Sequence, residues 1–326
     1  MGDISRLTKM RLLSVLFLFF SALFVCGQKI DNTTSYRDIA SDKYFRFNYD
    51  NDLFAGQDKN YTQGYSFEFV APFILKNPIN KLFLSLGNDV RKAGIVFEHI
   101  GFTPGRYEKV EIQEEDRPFA SVAMLKSFST STGIGSRQRL SSHFSFGVMG
   151  PAAIGKEIQT VIHSVTGGRV PLGWKNQIEN QIVLNYGIDY EEELLRLHDN
   201  FGFYANTSVK VGNLYSNASL GFNSTFGIIN DPYASNNTQK VRLYGYIQPL
   251  ISLVGYDGTL QDRIIRDRSV YTIPTEEITR VVGQVFYGIV LQTKLLYIEY
   301  YRAYITKEID TLGSAAWGGI KIGFHL

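Results

Sequence analysis

The sequence predicts an all-β fold: a twelve-stranded antiparallel transmembrane β-barrel with a short helix in an extracellular loop. Three observations point there. Apolar and polar residues alternate with period two in one segment after another, the mark of strands whose two faces meet different surroundings. The alternation is plainest in residues 43–70, where Phe45, Phe47 and Tyr49 lie opposite Arg46, Asn48 and Asp50, and Tyr65, Phe67 and Phe69 lie opposite Ser66 and Glu68. Second, the chain carries 20 Tyr, 23 Phe and 30 Gly at a mean hydropathy of -0.09. Lipid-facing strands have this composition, because each gives only alternate residues to its apolar face and aromatics gather at the interfaces. Third, Ile320, Ile322, Phe324 and Leu326 alternate with Gly319, Lys321, Gly323 and His325, a strand that a closed barrel relieves of its free edge.

In chain order, Arg6, Lys9 and Arg11 precede the apolar run Leu12 to Val25, and Cys26-Gly27-Gln28 follows. The run is short for a bilayer span and reads as a secretory signal over residues 1–27, cleaved near Gly27 on the way to a bacterial outer membrane. Residues 28–42 are then an N-terminal segment and 43–326 the barrel domain. Cys26 is the sole cysteine, and Val25 before it fits a lipidation signal poorly. The mature chain therefore has no disulfide, thiolate nucleophile or thiolate metal ligand. Without the leader 30 basic and 30 acidic residues remain, so no nucleic-acid footprint is present.

Alternating segments fall at about 43–52, 61–72, 93–103, 117–129, 139–149, 178–190, 200–212, 216–228, 240–254, 280–292, 294–306 and 315–326. Their number is even, as bacterial barrels require, and a closed barrel has no edge strand asking for a partner, so a monomer is expected. Residues 73–90, with Asn77-Pro78, read as a longer periplasmic turn, and Asp189 with Glu191-Glu192-Glu193 as a solvated periplasmic turn. After Gly150-Pro151, residues Ala152 to Thr166 read as a helix closed by Gly167-Gly168. Ile154, Ile158, Val161, Ile162 and Val165 form an apolar stripe expected to pack, with Gln159 and His163 four apart on its polar flank. If both termini are periplasmic, counting strands places this helix and the 53–63 loop at the same, outer end.

Hydrolytic chemistry without cysteine needs a hydroxyl, a histidine, a carboxylate or a hard metal. Of His99, His143, His163, His198 and His325, only His163 sits on a helix that fixes its ring beside a helical neighbour, Gln159. A His/Gln pair at this spacing also fits a plain polar face. The oxygen-rich tip (Asp50, Asn51, Asp52, Gln57, Asp58, Asn60, Thr62, Gln63) offers hard ligands suited to Ca²⁺, and equally a solvated turn. It is no EF-hand, since Gly56 is misplaced and Tyr61 stands where the bidentate Glu belongs. No Gly-x-Ser-x-Gly elbow occurs. His143-Phe144-Ser145 has the histidine–serine spacing of barrel phospholipases but continues Phe146-Gly147.

Several blocks together resemble the outer-membrane lipid A 3'-O-deacylase family: Asn51-Asp52, DKNYTQG (58–64), Asp116-Arg117-Pro118-Phe119-Ala120, FGVMGPAAIGKEIQTVIH (146–163), Trp174, Gln177-Ile178-Glu179-Asn180 and YDGTLQ (256–261). The ordered set spans nearly the whole mature chain. The resemblance implies a twelve-stranded barrel that removes the 3'-linked acyloxyacyl group from lipid A of lipopolysaccharide in the outer leaflet, with Ca²⁺ as cofactor. Carried over, His163 resembles the base that activates water and Gln159 its helical neighbour. Asn51 and Asp52 resemble the amide–acid pair, Asp52 as calcium ligand, and Thr62 the site hydroxyl. This chain departs from the pattern with Leu53 in place of a further aspartate, Gly167-Gly168-Arg169-Val170 in place of an acidic residue, and Arg106 and Lys109 as approximate counterparts of a site lysine. Two other readings stand beside this one: a channel or structural barrel with merely polar loops, and a serine-dependent barrel phospholipase.

Overall fold

Every alternating segment forms a strand. The computed structural model describes residues 39 and 41–326 except 57–59, 88, 134, 230, 232, 234–240 and 262–268, so the expected leader, Cys26, Gln57 and Asp58 lie outside the described residues. The strands are β1 (Tyr44–Asn51), β2 (Asn60–Val70), β3 (Val90–Thr103), β4 (Ala120–Gly133), β5 (Gln138–Met149), β6 (Gln181–Leu197), β7 (Phe201–Gly212), β8 (Tyr215–Ile228), β9 (Arg242–Asp257), β10 (Val281–Gln292), β11 (Leu296–Ile305) and β12 (Ala315–His325). Neighbours in sequence pair antiparallel, and β1 closes on β12 with Tyr44 opposite His325 and Asn51 opposite Gly318. Closure pairs the backbone polar groups of the strands among themselves, which a bilayer demands.

The register sorts side chains as the alternation requires. Outward rows carry Phe67, Phe97, Leu125 and Phe146, all exposed. Phe47 and Phe67 on adjacent strands meet with ring centroids 5.1 Å apart, a cross-strand pair worth about 0.2–1 kcal/mol. Inward rows are polar and buried. Arg46 pairs with Glu68 at 2.6 Å, and Lys321 with Glu299 at 3.2 Å. Hydroxyls of Tyr44, Tyr246 and Tyr297 donate to the same carboxylates. Charges this deep persist only when paired and hydrogen-bonded.

Both mouths are crossed by further polar groups. At the end that carries the β1–β2 turn Arg117 is 1% exposed, donates to Glu308 (3.0 Å) and Thr259 (3.0 Å), and lies over the Phe102 ring. At the opposite end, where β1 starts and β12 ends, Arg137 binds Glu193 and Asp231, and the Tyr233 hydroxyl reaches Glu191. The solvated turn expected at Glu191-Glu192-Glu193 does not form: these residues belong to β6, and Glu191 is buried in the lumen, accepting from Asn206 and Asn223. In a barrel with a polar interior, a charge run does not mark a turn.

The helix also differs from expectation. Pro151–Ala153 form a 3₁₀ turn, Ile154 takes φ 54°, and the α-helix proper, α1, covers Gly155–Thr166. A β-branched residue in the left-handed region costs about 1–2 kcal/mol, which the surrounding bonds offset. Gly150 N–H donates to Ser121 O, Ala152 N–H to Asn180 Oδ1, and the His99 Nε2–H to Ala153 O at 2.9 Å. His99 and Ser121 sit on the outward rows of β3 and β4, so α1 starts against the outer wall of the barrel.

Candidate active site

The first half of the site grows out of the β1–β2 turn. Period two sends Asp50 and Asn51 to opposite faces. Asp50 points into the lumen, where the hydroxyls of Tyr61 and Tyr301 both donate to it, so it leaves the oxygen-rich tip. Asn51 is the N-cap of a 3₁₀ turn, Asp52–Ala55: its Oδ1 accepts from Leu53 N–H at 2.7 Å, and its Nδ2 donates to Thr62 O at 2.5 Å. Its amide is thereby spent on holding Asp52 and Thr62 in place. Thr62 stands where the β2–β3 register shifts, between Tyr61 and Gln63, and its hydroxyl bonds that of Thr103 at 2.6 Å. Bulges of this kind re-aim a side chain and recur beside active sites. Asp52 is 2% exposed.

The second half is α1 and what grips it. The expectation that its apolar stripe packs holds only in part: Ile158 and Ile162 are half-buried, but Ile154, Val161 and Val165 are 54%, 62% and 81% exposed, while Gly155 and Gln159 are buried. A Cβ on Gly155 would lie 2.4 Å from Ser121 Cβ and 2.8 Å from Trp174, so the helix rests on the wall through its one side-chain-free position. Gly155→Val should push α1 off the wall and lower turnover about 10²-fold, with the barrel's heat-modifiable gel mobility unchanged; unaltered turnover would contradict this packing.

His163, half-buried, is held on three sides. Its Nδ1 bonds Arg169 O at 2.6 Å, the Tyr107 ring meets it edge-on at 5.1 Å, and Gly168 packs against its Cγ. A carbonyl only accepts, so Nδ1 is the donor, and in the neutral ring the lone pair then lies on Nε2. One turn earlier, Gln159 is 1% exposed and its Oε1 accepts from Trp174 Nε1 at 2.5 Å. β3 links the two halves: Thr103 meets Thr62, and His99, stacked on Tyr65, meets the turn before α1.

Sequence reading assigned no role to Trp174 or Tyr107, and His99, expected to be solvated or lumen-facing like the other strand histidines, is instead buried on the outward row of β3. The first two lie in loops without periodicity. His99 did carry a signal, a polar ring on an otherwise apolar outward row beside Ile95 and Phe97. His143 and Ser145 are buried on the inward row of β5, with His143 Nδ1 3.7 Å from Asp189, facing away from the outer wall.

As to calcium, the donor chemistry fits in part. Asp52 supplies a buried carboxylate oxygen, while the Asn51 amide is committed to the turn. Among the described residues no group of three His, Asp or Glu side chains forms a metal centre, so the remaining oxygens of a six- to eight-ligand ion would come from carbonyls, water and substrate.

A family model described as "Outer membrane protein LpxR" matches residues 12–326. The chain belongs to the LpxR family. This is the outer-membrane lipid A 3'-O-deacylase family that the sequence blocks resemble. Among solved structures, LpxR from Salmonella typhimurium is similar at a TM-score of 0.71 and 16% identity, covering 87% of this chain and 100% of that one. The β domain of the Bordetella autotransporter BrkA aligns at a TM-score of 0.45 and 8% identity, over 88% of this chain and 100% of that one. No curated protein sequence matches.

Proposed function

We propose that this LpxR-family barrel is a calcium-dependent ester hydrolase that removes the 3'-linked acyloxyacyl group from lipid A in the outer leaflet. One observation carries the reading: His163, whose Nδ1 bonds the Arg169 carbonyl and so leaves Nε2 as the basic nitrogen of the neutral ring, stands on a helix that starts against the outside of the barrel wall. His163 Nε2 takes a proton from water as the oxygen attacks the ester carbonyl. The ester C–O bond to the sugar then breaks and the proton passes to the departing sugar oxygen, giving the free acyloxyacyl carboxylic acid and a sugar hydroxyl. Asn51 holds Asp52 and Thr62 in their places, and the Gln159 amide lies beside the base. When bound at Asp52, calcium supplies a Lewis acid that polarises the carbonyl oxygen. Mass spectrometry of lipid A from cells expressing the protein should show loss of the 3'-acyloxyacyl mass; an unchanged acyl pattern would sink the reading.

The other two readings find less support. A channel needs an open lumen, whereas buried ion pairs fill this one and Arg117 and Arg137 networks cross its two ends. Purified protein in planar bilayers is accordingly expected to give no stepwise conductance, and regular steps would restore the channel. A serine enzyme would need Ser145 within reach of a lipid, yet it faces the lumen.

A further inference from the structure

We propose that Trp174 is a positioning residue for the reaction, its indole N–H locking the Gln159 amide so that the NH₂ is the group presented to substrate. The inference rests on the deacylase reading and adds to it a residue outside the base and calcium sets. An indole nitrogen only donates, so the Gln159 atom 2.5 Å away must be the oxygen; reversing the amide would set donor against donor. Gln159 is 1% exposed and its Nε2 has no hydrogen-bond partner. A buried amide donor left unsatisfied is costly, and such groups call for an explanation. Here the donor belongs to the residue one turn before His163, on the same side of α1, where i and i+4 side chains are neighbours. A donor beside a general base is what a carbonyl oxygen that gains negative charge requires.

Trp174 is itself fixed. It is 1% exposed, its ring meets Phe119 at 5.1 Å, and its far edge lies under Gly155, where a Cβ would come within 2.8 Å. Phe119 is in turn held by backbone pairing, its carbonyl accepting from Ile178 N–H at 2.9 Å. The indole thus gives the amide a rigid reference that a merely bulky ring would not. Phenylalanine would keep the contact with Phe119 and remove the N–H alone.

The test combines kinetics on lipid A in mixed micelles with NMR of ¹⁵N-tryptophan-labelled protein, whose 2 tryptophans give two indole peaks. Trp174→Phe should lower kcat about tenfold with KM within about twofold, because the donor acts on charge that develops after binding. Gln159→Ala should cost about 10²-fold, and the double variant should be no slower than Gln159→Ala alone, since the lock has no purpose once the amide is gone. In the spectra, Gln159→Met should shift the Trp174 indole peak and leave that of Trp317 in place. The proposal is overturned by wild-type kcat in Trp174→Phe, by losses that multiply in the double variant, or by an unmoved Trp174 peak in Gln159→Met. The last readout also serves if Trp174→Phe does not fold. A wild-type protein that releases no acyl chain fails the deacylase reading instead, while the indole peak still reports the pairing.

Discussion

His163→Ala is expected to lower lipid A deacylation about 10²–10⁴-fold, the range a positioned general base supplies. The size follows from how the ring is held. Nδ1 is committed to the Arg169 carbonyl at 2.6 Å, the Tyr107 edge limits rotation, and Gly168 closes the third side. The turn that supplies these contacts is set by the helix end itself: Gly167 takes φ 77°, and the N–H of Gly168 returns to His163 O at 3.0 Å. Only glycine enters that conformation without strain, so the same C-cap that stops α1 aims the carbonyl at the ring. The measurement is the acyl pattern of lipid A from cells expressing wild type or His163→Ala at matched barrel levels. Equal loss of the 3' chains in both would exclude His163 as the base. His163→Gln should be nearly as slow as alanine, because an amide can hold a water but cannot take its proton.

How much of this was legible follows from the environment each residue meets. The strands could be read because alternation needs only two unlike surroundings, and a barrel wall supplies them along its whole height. The same rule separates Asp50 from Asn51, one facing Tyr61 and Tyr301 in the lumen and the other facing Thr62. The C-terminal end of the helix could be read from Gly167-Gly168, which acts locally, whereas the α-helix starts at Gly155 rather than Ala152 because Pro151–Ala153 form a 3₁₀ turn. Its packed face could not be read. An apolar stripe is expected to seek protein because water is the assumed alternative, and Val161 and Val165 instead turn outward on a helix that rests on Gly155. Glu191 was misplaced for the converse reason, a charge taken for solvent contact when it is a lumen residue satisfied by Asn206, Asn223 and Tyr233. Tyr107 and Trp174 come from loops whose shape depends on contacts with each other's chain, Leu172 and Gly173 N–H both donating to Tyr107 O. No local pattern announces such contacts.

Asp52→Asn should lower the rate about 10²–10³-fold and shift half-maximal activity to higher free calcium, as expected if one carboxylate contributes several kcal/mol through a Lewis acid. Asparagine keeps the volume and removes the charge, so the 3₁₀ turn capped by Asn51 survives and the effect reports ligation rather than folding. Chelation of calcium should bring the wild-type rate close to that of Asp52→Asn, with calcium restoring the first and not the second at equal concentration. Asn51→Ala offers a contrast. It removes the bonds to Leu53 N–H and Thr62 O, loosening the turn without touching the carboxylate. Its loss should be smaller and only partly recovered by added calcium, because a misplaced ligand still binds. Deacylation measured against free calcium for the three proteins decides the matter. If chelation leaves the wild type fully active, or if Asp52→Asn shares its calcium curve, Asp52 is not the calcium ligand, and the buried carboxylate serves only to shape the turn.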